Sequence, residues 1–103
     1  MPEPNMIDLD REDVKRGLAE GAFTLVDVRE PHEFAAGHIP GSVNMPLSQF
    51  DPDALPAGRV VLSCAAGIRS AHAAAFAQAA GRDIRDHYKG GYKDWIAAGA
   101  PIK

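Results

Sequence analysis

Cysteine is nearly absent from this sequence: Cys64 is the only one among 103 residues. A single cysteine excludes a disulfide within the chain. The N-terminus has neither the basic segment nor the apolar segment of a secretory signal. We therefore expect a cytoplasmic protein, in a reducing setting where the thiol stays free.

Long apolar runs and an excess of positive charge are also missing. The apolar stretches are too short to span a bilayer, which argues against a membrane partner. Eleven Lys and Arg against 14 Asp and Glu give a net charge of -3, which argues against general nucleic-acid binding. The four histidines show no close helical pairing and have no second cysteine beside them, so we expect neither a metal site nor a cofactor.

The chain reads as one domain, residues 1–103, because no linker, repeat or low-complexity tract divides it. Residues 1–5 read as a loose N-terminal arm. Short apolar stretches predict strands, and segments with helical spacing alternate with them. The predicted strands are 7–9, 24–28, 42–45, 59–63 and 84–88. This alternation favours an α/β fold with a mainly parallel central sheet flanked by helices.

The segments between these strands carry helix signals. Asp10 is a predicted N-cap and Asp13 its capping-box partner. The other predicted helical segments are 31–36, one or two turns within 48–55, a helix between the Cys64 segment and Gly81, and 92–98. In the third of these, Ala73, Phe76, Ala77 and Ala80 recur at helical spacing and are predicted to be core.

Two segments with chemical potential follow predicted strands. Asp27-Val28-Arg29 closes one strand, and Cys64 follows another. Ligands bind outside the carboxyl ends of parallel strands. The sequence therefore predicts a site where these segments meet.

Cys64 has two interpretations. A lone cysteine is often a small buried apolar residue. Here, however, it lies between a strand and a helix, followed by small or apolar residues and Gly67. Backbone amides entering the helix, the helix dipole and Arg69 would all favour a thiolate and stabilise an anionic adduct on it. A persulfide and a phosphoryl group are both such adducts.

The loop length separates these adducts. Four residues lie between Cys64 and Arg69. A cysteine phosphatase has one residue more, which widens the loop for a tetrahedral phosphate, so the shorter loop favours a single sulfur. The loop has no acid for the leaving group, and Asp27 is expected to form a structural ion pair with Arg29.

Four segments together resemble the rhodanese-like domain family, over residues 6–102. They are Asp27-Val28-Arg29-Glu30 with Glu33-Phe34, Gly37-His38-Ile39-Pro40-Gly41-Ser42 with Asn44, Cys64-Ala65-Ala66-Gly67-Ile68-Arg69-Ser70, and Gly90-Gly91-Tyr92 with Trp95, Gly99 and Pro101. The resemblance implies the family's three-layer fold and a single-domain sulfurtransferase that needs no cofactor.

The resemblance also implies a mechanism. Cys64 would take sulfur from thiosulfate or a persulfide donor, carry it as a persulfide, and pass it to cyanide in vitro or a cellular thiol. Asp27 and Arg29 would support the loop, and Arg69 would close it and attract an anionic donor. The residues assigned to persulfide binding are Ala65, Ala66, Gly67, Ile68, Arg69 and Ser70.

One departure from the family pattern concerns the donor. Many members have a basic or polar residue after the cysteine, where this chain has Ala65 and Ala66. A less cationic rim favours a protein or low-molecular-weight persulfide over thiosulfate. The alternatives are a non-enzymatic sulfur carrier, redox-sensing or regulatory binding module, and, less favoured, a cysteine phosphatase or arsenate reductase.

The remaining polar and aromatic residues are given structural interpretations. His38 is predicted to be a hydrogen-bonded turn residue, and Trp95 with Tyr92 a hydrophobic cap. His72 and His87 are predicted to be exposed or packing residues without a role. Glu33 is expected to pair with an arginine that the sequence does not identify.

Overall fold

The computed structural model describes residues 5–103. The predicted N-terminal arm therefore lies outside the described residues, apart from Asn5. The backbone N–H and C=O of Asn5 both form hydrogen bonds with the side-chain amide of Gln78, at 3.1 and 3.0 Å. Among these residues, no helix is long and apolar enough to cross a bilayer.

In the described part of the chain, five parallel strands form one sheet, in the spatial order β1-β5-β4-β2-β3. Their bounds are β1 Ile7–Leu9, β2 Thr24–Asp27, β3 Val43–Asn44, β4 Val60–Ser63 and β5 Asp86–Tyr88. All five predicted strands are confirmed, although most are shorter than expected. All four residues of β4 are buried, as the apolar run Val60-Val61-Leu62 predicts for a central parallel strand.

Within residues 5–103, four helices connect and cover these strands. They are α1 Arg11–Glu20, α2 Pro31–Ala36, α3 Ile68–Ala79 and α4 Gly91–Ala97. The predicted capping box is confirmed, because Asp10 accepts from the Asp13 amide and Asp13 accepts from the Asp10 amide. The segment predicted as one or two turns within 48–55 forms two short 3₁₀ turns, Leu47–Gln49 and Pro52–Ala54.

Helices and turns lie on both faces of the sheet, which gives the expected three layers. On one face, Val26 and Leu62 pack with the alanines of α3. On the other face, Leu25 and Val61 pack with Val14 of α1 and the α4 side chains. This alternation follows from the two-residue period of a strand.

The predicted core stripe of α3 is partly wrong. Ala73 and Ala77 are fully buried, but Phe76 is 57% exposed and Ala80 is also exposed. The buried face of the helix includes Ala74, which completes a stripe at i, i+1 and i+4 with Ala73 and Ala77. Helix α3 also begins at Ile68, inside the segment expected to precede it.

Candidate active site

Cys64 follows the last residue of β4 and lies just before α3. Only 1% of the residue is exposed. The Gly67 amide donates a hydrogen bond to its Sγ at 3.0 Å. Such a donor stabilises a negative charge on sulfur. The thiol is therefore recessed, and the loop turns the Gly67 amide toward it.

Helix α4 holds this loop in place from its own first turn. The Tyr92 amide donates to the Cys64 carbonyl at 2.8 Å, and the Lys93 amide donates to the Ala65 carbonyl at 3.0 Å. A Cβ at Gly91 would lie 2.5 Å from the Cys64 carbonyl oxygen, so no side chain fits there. Gly91 thus permits close contact between the start of α4 and the loop.

Gly67 of the loop lies against Lys89, in the segment just before α4. Its φ of +90° lies in the left-handed region, and a Cβ would lie 2.6 Å from the Lys89 carbonyl oxygen. Only glycine provides both the backbone conformation and the space. The amide that donates to Cys64 is thus placed by a residue that cannot carry a side chain.

The exposed part of the loop is apolar. Ala65 is half-buried, Ala66 is exposed, and Ile68 is 69% exposed. None of these side chains carries a charge. A molecule that approaches this side of the loop meets methyl groups.

Arg69 is paired with Glu33 of α2. Its two terminal nitrogens donate to the two carboxylate oxygens at 2.6 and 3.0 Å. The hydrogen bonds from Arg69 lower the pKa of Glu33 from 4.5 to about 2, and those to Glu33 raise the pKa of Arg69. The structure thus identifies the arginine that pairs with Glu33. A carboxylate therefore compensates the positive charge of Arg69 beside the loop.

Asp27 and Arg29 form the expected structural ion pair. Arg29 donates to Asp27 from Nε and from Nη2, the latter at 2.8 Å, and both residues are 4% exposed. The same Nη2 donates to the Gly37 carbonyl at 2.8 Å, and the guanidinium lies 4.1 Å from the centre of the Tyr92 ring. The Tyr92 amide donates to the Cys64 carbonyl, so the ion pair contacts a residue that holds the loop in place and does not contact the sulfur.

The loop, the buried ion pair and the glycine turn all lie within the part of the chain that a protein-family model matches. A family model described as "Rhodanese-like domain" matches residues 10–98. The chain belongs to the rhodanese-like domain family.

Relatives of this rhodanese-like domain include named sulfurtransferases. The thiosulfate:glutathione sulfurtransferase of Saccharomyces cerevisiae is 33% identical over 85% of this chain and 76% of its own length. The structure of a human single-domain sulfurtransferase superposes with a TM-score of 0.73 at 30% identity, covering 90% of this chain and 96% of that one. An uncharacterized Synechocystis protein is 39% identical over 80% of this chain, which spans only 48% of that relative's length.

Within this rhodanese-like domain, His87 is buried, as one of its two predicted interpretations, a packing residue, requires. His87 is 5% exposed and fully hydrogen-bonded: Nδ1 lies 2.8 Å from Ser70 Oγ, and Nε2 lies 2.8 Å from Asp8 Oδ1. Ser70 is completely buried and lies 3.6 Å from Cys64 Sγ. No local signal marks this connection, because Asp8 and His87 are 79 residues apart in the chain.

The other structural interpretations agree with the contacts. His38 Nδ1 lies 2.9 Å from the Phe34 carbonyl, and its ring stacks on Phe34. Trp95 is 4% exposed, and its indole N–H donates to the Pro101 carbonyl at 2.6 Å. His72 is exposed, as one of its two predicted interpretations requires.

Proposed function

We propose that this domain is a sulfurtransferase that carries sulfane sulfur as a persulfide on Cys64. The observation that carries the proposal is the recessed Cys64 sulfur with the Gly67 amide 3.0 Å away, in a loop with four residues before Arg69. Amides of such a turn stabilise a terminal anion. The remaining loop residues, Ala65 through Ser70, would surround the outer sulfur.

The proposed reaction has two displacements on sulfur. The Cys64 thiolate attacks the sulfane sulfur of the donor, and the bond between that sulfur and the rest of the donor breaks. With thiosulfate, sulfite leaves with the bonding electron pair and the enzyme becomes Cys64–S–S⁻. A thiol acceptor then attacks the outer sulfur, keeps it as a persulfide, and returns Cys64 as a thiolate. Cyanide would leave as thiocyanate.

The charges near the loop favour a persulfide over thiosulfate as the donor. Arg69 has its charge compensated by Glu33, and the exposed loop side chains are methyl groups of Ala66 and Ile68. Thiosulfate, a dianion, gains little electrostatic attraction from such a loop. A low-molecular-weight or protein persulfide depends less on that attraction and loses little without it. The named thiosulfate:glutathione relative supports a cellular thiol as the acceptor. We place this chemistry in the cytoplasm, performed by the chain as one domain.

A turnover assay tests the proposal. The protein is mixed with cyanide and either thiosulfate or glutathione persulfide, and thiocyanate is measured. We expect thiocyanate from both donors, with the higher kcat/KM for the persulfide. We expect none above background from Cys64→Ser, because this substitution removes the only thiol.

Three results would contradict the proposal. Thiocyanate formation that is equal in wild type and Cys64→Ser would remove Cys64 from the chemistry. Absence of transfer with every donor, together with Cys64-dependent hydrolysis of an aryl phosphate, would establish the phosphatase alternative. Absence of both activities in a folded protein would leave a binding or regulatory module.

A further inference from the structure

A chain of hydrogen bonds links the Cys64 sulfur to the protein surface. Cys64 Sγ lies 3.6 Å from Ser70 Oγ, which lies 2.8 Å from His87 Nδ1, and His87 Nε2 lies 2.8 Å from Asp8 Oδ1. Ser70 and His87 are buried, whereas the Asp8 side chain is 52% exposed. Asp8 also lines an open cavity of about 470 Å³. This series of hydrogen bonds thus begins at a buried thiol and ends at a carboxylate in contact with solvent.

Secondary structure places each member of this chain. Strands β1 and β5 pair in a register that sets Asp8 opposite His87. On the other side of His87, β5 pairs with β4, whose next segment carries Cys64. Ser70 lies in the first turn of α3, between the thiol and the imidazole. Regular elements therefore carry Asp8, His87 and Ser70, and Cys64 directly follows a strand.

The partners of His87 determine its tautomer. The Asp8 carboxylate is an acceptor, and its hydrogen bond with His87 lowers the Asp8 pKa. Nε2 therefore carries the hydrogen of the neutral ring, and Nδ1 is left as a bare acceptor. The Ser70 hydroxyl then donates to Nδ1 at 2.8 Å rather than to the Gly67 carbonyl at 3.1 Å, which also accepts from the Ala71 amide. The Ser70 oxygen is thereby free to accept from the Cys64 thiol. In this arrangement the Cys64 thiol donates to Ser70, Ser70 donates to His87, and His87 donates to Asp8.

We propose that His87 accepts the Cys64 proton through Ser70, with Asp8 holding the imidazolium that results. The thiol passes its proton to Ser70 Oγ while the Ser70 hydroxyl proton moves to Nδ1. The products are a thiolate, an intact serine and an imidazolium, so atoms and charge balance. Ser70 can then donate a hydrogen bond to the thiolate. The proposal rests on the proposed function, since it treats Cys64 as a nucleophile.

Other charged groups surround this chain. Lys89 Nζ lies 3.6 Å from Asp8 Oδ2 and shares that carboxylate with His87. On the α3 side, Arg69 interacts electrostatically with Cys64 but is paired with Glu33. Asp27, at the end of β2, also contributes to the raised pKa of Arg69 and is itself paired with Arg29. Of these charged groups, only Asp8 touches His87.

The pH dependence of Cys64 alkylation tests the proposal. The rate of carbamidomethylation by iodoacetamide is measured by intact mass across pH, and the single cysteine makes the site unambiguous. His87→Gln keeps a hydrogen-bonding side chain that cannot take the proton. We expect its alkylation profile to move to higher pH, and each pH unit of that displacement lowers the rate near neutral pH roughly tenfold. Asp8→Asn should move the profile in the same direction by less.

Two controls separate this role from a structural one. His72→Gln removes an exposed histidine from the same helix as Ser70 and should leave the profile unchanged. Ser70→Ala should move the profile as His87→Gln does, and adding it to His87→Gln should move it no further, because both interrupt one route. The assay needs no sulfur donor, so its outcome is independent of whether the domain transfers sulfur.

A profile of His87→Gln that superposes on wild type overturns the proposal. If His87→Gln does not fold, Asp8→Asn decides alone. Asp8 is exposed, so its replacement leaves the core intact. An unchanged Asp8→Asn profile would then leave His87 as a structural residue only.

Discussion

Glu33 compensates the positive charge of Arg69 near Cys64. The two side chains form a bidentate pair between α2 and the first turn of α3. Planar pairs of this kind fix both partners in one geometry. Arg69 is therefore tied to α2, and its charge is compensated by a carboxylate.

We predict that Glu33→Gln removes an acid-dependent part of the stability. The pKa of Glu33 is lowered from 4.5 to about 2, so the pair stabilises the fold fully above pH 4.5 and loses its effect as pH falls toward 2. Wild type should have the larger free energy of unfolding near neutral pH, and the gap to Glu33→Gln should close across that window. Urea unfolding at several pH values measures it. A gap that stays constant with pH would contradict this prediction.

Single residues differ in how far the sequence reveals their roles. The pairing of Asp27 with Arg29 could be predicted, because the two are near neighbours at the end of one strand. The partner of Glu33 could not, since Arg69 lies 36 residues away and other arginines compete for it. The hydrogen-bond partners of His87 could not be predicted for the same reason, because both come from distant segments.

At the scale of elements, the loop between β4 and α3 depends on its contact with the turn before α4. The Lys89 carbonyl and Gly91 approach the loop so closely that neither Gly67 nor Gly91 has room for a Cβ. Packing of one irregular segment against another therefore fixes the position of the Gly67 amide. The glycines are visible in the sequence, but only the fold shows what they approach.

We predict that Gly67→Ala costs more stability than Gly81→Ala. Both glycines have a left-handed backbone, with φ of +90° and +84°, but nothing lies within 4 Å of a Cβ at Gly81. Gly81→Ala should cost about 1 kcal/mol from backbone strain. Gly67→Ala adds the clash with the Lys89 carbonyl and should exceed that value. Urea unfolding compares them, and equal losses would show that the close contact is unimportant.

Helix α3 illustrates the limits of periodicity. Helical spacing correctly predicts burial of Ala73 and Ala77, but it also predicts a core position for the large, apolar Phe76, which is exposed. The buried face is set by how closely the helix approaches β4 and β5, and this approach accommodates alanine and serine. Sequence spacing does not contain that distance.

At the scale of the whole molecule, the sheet order brings separate segments to one site. The strand β4 lies between β2 and β5. The segments that follow β2 and β5 therefore lie next to the Cys64 loop, which follows β4. The parallel α/β fold and this shared edge could be predicted from alternating strand and helix signals. The contribution of β1 could not, because its pairing with β5 joins the two ends of the chain.

The central claim is that Cys64 holds one transferable sulfur atom. The most direct measurement is the intact mass of the protein after incubation with a persulfide donor and removal of excess donor. We predict a mass increase of one sulfur atom, which cyanide removes and which Cys64→Ser abolishes. A folded wild-type protein that gains no sulfur from any donor, or gains it equally in Cys64→Ser, would contradict this claim.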